Sequence, residues 1–248
     1  MIPFVTELFG LIIGSFLNGV IHRVPLKRSI VWPSSACPSC GAPIKSFDNL
    51  QVHPCLLLRG RYRNCEARIS PRFPLVEGLT GLLFALAGYE FGLSLELVWA
   101  VVLISVLVAL SGIDLEHRLL PNVIVGPAAV GFVLSVARDP GRWRVYLLSA
   151  VAVAAGLFAL ALVYPGGMGM GDVKMGGMLG AFLGRYASLT VFVGALVGAL
   201  VGGTLMIAGR FQRRSVLPFG VFLALAGGFT LFLGQEVWEC YWRLVGVA

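Results

Sequence analysis

Apolar residues in this chain gather into long, nearly charge-free blocks, near positions 2–21, 74–93, 96–113, 119–137, 145–164, 173–184, 186–208 and 216–235. Roughly 20 apolar residues rising 1.5 Å each span the hydrocarbon of a bilayer, so most of these blocks have the length of a crossing helix. The block at 173–184 is too short to cross comfortably. It is predicted to tilt, to thin the bilayer locally, or to form a half-helix buried in protein. The first block carries one charge, Glu7, and lacks the basic lead-in and small-residue cleavage site of a secretory signal, so it is predicted to stay as a span.

Between the first two blocks the pattern breaks. Residues 23–72 hold nine basic residues against Asp48 and Glu66, together with four of the five cysteines. The expected architecture is therefore an all-α polytopic membrane protein with about eight transmembrane helices and a small cytoplasmic, cysteine-bearing insert between the first and second. Its segments are a first helix at 1–22, the basic insert at 23–73 and a membrane core at 74–248.

Composition agrees with the pattern and excludes a soluble globular domain. Hydrophobic residues make up 58% of the 248 and charged residues 12%, about half the share of an ordinary soluble domain. The 19 Lys and Arg against 12 Asp and Glu report orientation in such a chain, and nucleic acid is not an expected partner. With the insert in the cytoplasm, the junctions at 114–118, 165–174 and 209–215 fall on the same side, which then holds 14 basic residues against 5 on the other. The Arg138 to Arg144 loop runs locally against that bias. Both chain ends are expected to face away from the cytoplasm, and the basic insert is expected to attract anionic lipid headgroups.

This orientation brings Asp114 and Asp172 to one membrane face. A carboxylate costs up to about 2.5–3.5 kcal/mol at the bilayer centre and less at its edge, so each is a candidate for function. Two carboxylates meeting in a low-dielectric cleft cannot both ionise; one keeps a proton while the other can deprotonate an attacking water. That is the acid and base pair of an aspartic protease. The plainer alternative is an interfacial Asp hydrated or paired with Arg118 or Lys174. Asp172 closes a glycine-dense stretch, Gly166 to Gly171, whose backbone tolerates close approach by another chain.

With these residues in place the sequence resembles the bacterial type IV prepilin peptidases, membrane aspartyl proteases of the GxGD class. The matching segments run in order along most of the chain. They are Gly14 to Asn18, Cys37 to Cys40, Leu57 to Arg61, Pro74 to Glu77, Ile113 to Leu115 with Leu120 and Pro121, Gly169 to Lys174, and Pro218 to Gly220. The resemblance implies an endopeptidase that removes the leader from type IV prepilins or pseudopilins at the cytoplasmic face of the bacterial inner membrane, cutting after a glycine. It implies Asp114 and Asp172 as the catalytic pair, with no cofactor needed for proteolysis. Many members also methylate the new amino terminus with S-adenosylmethionine. Lys174 would tune the charge of Asp172, and Pro218, Phe219 and Gly220 would shape the substrate cleft. Glu77 would assist substrate or methyl transfer, or simply favour its helix dipole.

The cysteines depart from that pattern. The family commonly carries a second CxxC, and here Tyr62 stands in place of its first cysteine. A structural zinc needs four ligands; Cys37, Cys40 and Cys65 would supply three, with Cys55 or His53 as the fourth. The alternative is that metal binding is lost and the insert holds by packing.

Two other functional classes compete. Paired intramembrane acids also suit an ion- or proton-coupled transporter. A non-catalytic membrane scaffold would leave both aspartates idle.

Overall fold

The computed structural model describes residues 1–30, 32, 40, 61, 65, 67–118, 120–122, 125–164, 168–209 and 218–246. Each of the eight apolar blocks folds as an α-helix: α1 Ile2–Arg23, α2 Arg72–Phe91, α3 Leu95–His117, α4 Val125–Arg138, α5 Trp143–Val163, α6 Met170–Leu183, α7 Ala187–Ile207 and α8 Phe219–Val245. Backbone groups satisfied within each helix are what a bilayer interior demands, so charge-free blocks take this form. Five segments are long and apolar enough to cross a membrane: Ile2–Arg23, Leu95–His117, Pro140–Val163, Met170–Ile207 and Phe219–Val245. Eight separate crossings are therefore not established. The block at 119–137 contracts to the 14 residues of α4, about 21 Å at 1.5 Å per residue. Leu120 and Pro121, early in the block, lie outside the helix, and Arg118 before them turns left-handed at φ 50°.

The chain forms two compact units, Met1–Ala109 and Leu110–Ala248. In the first, α1 and α2 run antiparallel in close contact. Small residues make the approach possible: a Cβ on Gly14 would lie 2.7 Å from Glu77 Cα, and one on Gly10 would lie 2.8 Å from Gly81 Cα. Asn18 Nδ2 donates to the Phe73 carbonyl at 3.0 Å, a hydrogen bond between the two helices. Glu77, fully buried, sits on this seam.

In the second unit α6 is the most enclosed element. It packs on α4, α5, α7 and α8, and most of its residues are buried. The short block at 173–184 is thus a half-length helix inside protein, one of the three forms its length allowed. Gly180 presses on the backbone of Ala150, where an added Cβ would come within 2.5 Å of Ala150 Cα. The buried hydroxyl of Ser135 donates to the Phe182 carbonyl at 3.1 Å and ties α4 to α6. The recurring glycines of α7 also serve packing, since Gly194 and Gly198 lie against Phe222 of α8. At the far end of α6 from Asp172, Tyr186 stacks edge-on with Trp238, which meets Trp242 in turn. Such aromatic clusters mark a membrane–water boundary.

Candidate active site

Asp114 lies in the last turns of α3, where the Arg118 amide still closes the helix on the Asp114 carbonyl at 2.9 Å. Asp172 lies in the first turn of α6, directly after Gly171. The Asp172 carboxylate turns back on its own helix end: Oδ2 accepts the Gly169 amide at 3.1 Å, and the Asp172 amide donates to the Gly169 carbonyl at 3.1 Å. A carboxylate at this position satisfies one of the free amides that open a helix and meets the positive end of its dipole.

A second helix start addresses the other carboxylate. Gly220 and Val221, in the first turn of α8, direct their amides at Asp114. A Cβ on Gly220 would stand 2.8 Å from Asp114 Oδ2, so only glycine lets the backbone come this close. Asp114 is 5% exposed and Asp172 9%, and the two are near enough to act on each other electrostatically. Asp114 Oδ2 is buried without a formed hydrogen bond. Among the described residues neither carboxylate has a cationic partner, which removes the interfacial ion pair with Arg118 or Lys174 as an account of either. Lys174 Nζ instead donates to Asn122 Oδ1.

The structure therefore gathers Asp114, Asp172 and Gly220, which lie far apart in sequence, into one cluster within the second unit. It also adds residues that the motif spacing did not single out for a role. Leu120 fills the space between Gly171 and Gly220, and Asn122 holds Lys174. The only signal for Asn122 in the sequence is a polar side chain directly after Pro121 at a span end.

The family matches coincide with this geometry. Residues 8–91 match the bacterial peptidase A24 N-terminal domain, and residues 101–204, which carry both aspartates, match the type IV leader peptidase family. A prepilin leader peptidase/N-methyltransferase of Bacillus subtilis is 35% identical over 96% of this chain and 96% of its own length. The chain belongs to the type IV leader peptidase family. A relative of the same name from Pseudomonas aeruginosa is 33% identical over 97% of this chain and 93% of its own length. Another, from Myxococcus xanthus, is 42% identical over 80% of this chain, which spans 61% of that longer relative. No solved structure matches. Membership and the five apolar segments make this type IV leader peptidase relative a multi-pass membrane protein. Nothing in the comparisons favours the ion- or proton-coupled transporter.

The proposed zinc ligands fare differently. Cys37 and Cys55, with His53 and Tyr62, lie outside the described residues. Cys40 is exposed and Cys65 half-buried. Among the described residues no three His, Cys, Asp or Glu side chains converge on a metal position. Cys240 is exposed on α8.

Proposed function

We propose that the chain is a membrane endopeptidase that removes the leader of type IV prepilins or pseudopilins at the cytoplasmic face of the bacterial inner membrane. The observation that carries the reading is the meeting of Asp114 and Asp172, two buried carboxylates without cationic partners among the described residues, in a chain of this family. In a low-dielectric site one of the pair is ionised and the other protonated. The ionised carboxylate takes a proton from a water held between them as the water oxygen bonds to the scissile carbonyl carbon. The protonated carboxyl gives its proton to the carbonyl oxygen, so that a neutral gem-diol forms. The diol then returns a proton to one carboxylate, the carbon–nitrogen bond breaks, and the other carboxyl protonates the leaving amine. The pair ends as it began, and no metal or cofactor enters the cleavage.

The substrate's mature segment is a hydrophobic helix, which the surrounding bilayer accommodates. Its cleavage site must be extended for water to reach the carbonyl.

The relatives are also named N-methyltransferases, and the same activity is proposed here, with S-adenosylmethionine as methyl donor. The donor would methylate the amino group exposed by cleavage. Among the described residues there is no strand with a glycine-rich turn into a helix, so no residues are assigned to hold it. A zinc site at Cys37, Cys40, Cys55 and Cys65 is a separate proposal about the insert alone. Metal analysis of the purified protein tests it, with one equivalent expected and less than half an equivalent counting against it.

The deciding experiment is cleavage of a synthetic prepilin with a basic leader ending in glycine by purified wild type, Asp114→Asn and Asp172→Asn, with labelled S-adenosylmethionine present. Each amide variant is expected to lose at least about 1,000-fold in rate, because an amide can neither accept the proton from water nor donate one as an acid. Equal cleavage by all three proteins would discard the aspartyl mechanism.

A further inference from the structure

Beyond α3, which carries Asp114, the described backbone leaves the helical conformation at Arg118. Arg118 takes a left-handed backbone, φ 50°, a conformation that an L-residue rarely adopts. The next described residues, Leu120 to Asn122, then meet the elements that carry the rest of the site. A Cβ added to Gly171 would lie 2.5 Å from Leu120 Cβ, and one added to Gly220 would lie 3.1 Å from Leu120 Cδ1. Leu120 is thus wedged between the backbone beside Asp172 and the backbone that faces Asp114. Two residues on, Asn122 Oδ1 accepts the Lys174 ammonium from the same helix as Asp172.

We propose that Leu120 and Asn122 position the carboxylate pair, with Leu120 as a spacer and the Asn122–Lys174 hydrogen bond as a clasp. This rests on the peptidase reading above and assigns that site residues beyond its two aspartates. The physical reason is that Asp114 and Asp172 sit on the ends of two different helices. Nothing in either helix fixes their separation. The pair must hold one water between them, and a displacement of about 1 Å in such a site costs roughly 100-fold in rate. Leu120 sets the distance because it lies against the backbone at Gly171 and at Gly220, and backbone cannot yield as a flexible side chain would. The clasp sets the rotation of the α6 end about that contact. Lys174 is therefore a positioning residue here, acting through Asn122, and not through a direct pairing with Asp172.

The test compares detergent-purified wild type with Leu120→Ala, Leu120→Met, Asn122→Ala, Asn122→Asp, Lys174→Ala and the Asn122→Ala/Lys174→Ala double variant on the synthetic prepilin. Leu120→Ala is expected to lower kcat about 10- to 100-fold with KM within about twofold of wild type, since positioning of reacting groups is realised in the transition state. Leu120→Met, close in volume, is expected to recover most of the rate. Asn122→Ala is expected to lose about tenfold and Asn122→Asp, which keeps an acceptor for Lys174, to lose little. The double variant is expected to be no slower than the worse single one, because both remove the same bond.

Strictly multiplying losses in the double variant, with Lys174→Ala far slower than Asn122→Ala, would overturn the clasp and return Lys174 to direct action on Asp172. A Leu120→Ala enzyme with wild-type kcat would overturn the spacer. Should Leu120→Ala not fold, as judged by gel-filtration and thermal unfolding, the Leu120→Met rate and the Asn122 and Lys174 set decide alone. Failure of the peptidase reading shows separately, as wild type that does not cut or as Asp114→Asn and Asp172→Asn that cut normally.

Discussion

Gly220 shows how little space the site leaves. A methyl group there would stand 2.8 Å from Asp114 Oδ2 and 3.1 Å from Leu120 Cδ1, closer than real Cβ atoms approach their neighbours in the first case. Gly220→Ala is expected to reduce kcat by about 100-fold while the protein stays folded, because the carboxylate must turn away from its productive place. Gly228, on the same helix, meets nothing within 4 Å, and Gly228→Ala is expected to keep wild-type activity with a gain of about 0.5–1 kcal/mol in stability. Parallel rate and unfolding measurements on the two variants check both outcomes. At this scale both acids were readable in advance, since a carboxylate in an apolar junction demands a reason. Asn122 and Leu120 were not, because a leucine among leucines carries no sign of which backbone it will touch.

Between elements, glycine faces determine how near the helices come. Gly180 of α6 lies so close to α5 that a Cβ would be 2.5 Å from Ala150 Cα, whereas Gly156 of α5 has nothing within 4 Å. Gly180→Val is expected to destabilise by about 1–3 kcal/mol through forced separation of α5 and α6, read as a lower midpoint of thermal unfolding in detergent. Gly156→Ala is expected to leave that midpoint unchanged or raise it. The loss at Gly180 should also slow cleavage, since α6 carries Asp172 at its start. The existence of all eight helices was legible from hydrophobic length alone. The shortening of the block at 119–137 to α4 was less so: its early residues are as apolar as its later ones, and the left-handed turn at Arg118 is a backbone choice that composition does not record.

For the molecule as a whole, the distribution of basic residues predicts which side of the membrane the site faces. The structure adds an aromatic cluster of Tyr186, Trp238 and Trp242 at the end of α6 opposite Asp172. Native cysteines report the orientation directly, because Cys40 in the insert and Cys240 near the end of α8 are both exposed. In single-cysteine proteins in intact cells, a membrane-impermeant maleimide is expected to label Cys240 at once and Cys40 only after permeabilisation; the reverse pattern would place the carboxylate pair on the outer side. Hydrophobic length and charge bias are summed along the chain, so the all-helical class, the membrane class and the two candidate acids could be read without coordinates, and an orientation could be expected. Distances between residues far apart in sequence are not summed along the chain. The approach of Gly220 to Asp114, the wedge of Leu120 and the clasp of Asn122 on Lys174 depend on how helix ends pack, and packing became visible only once the helices were assembled.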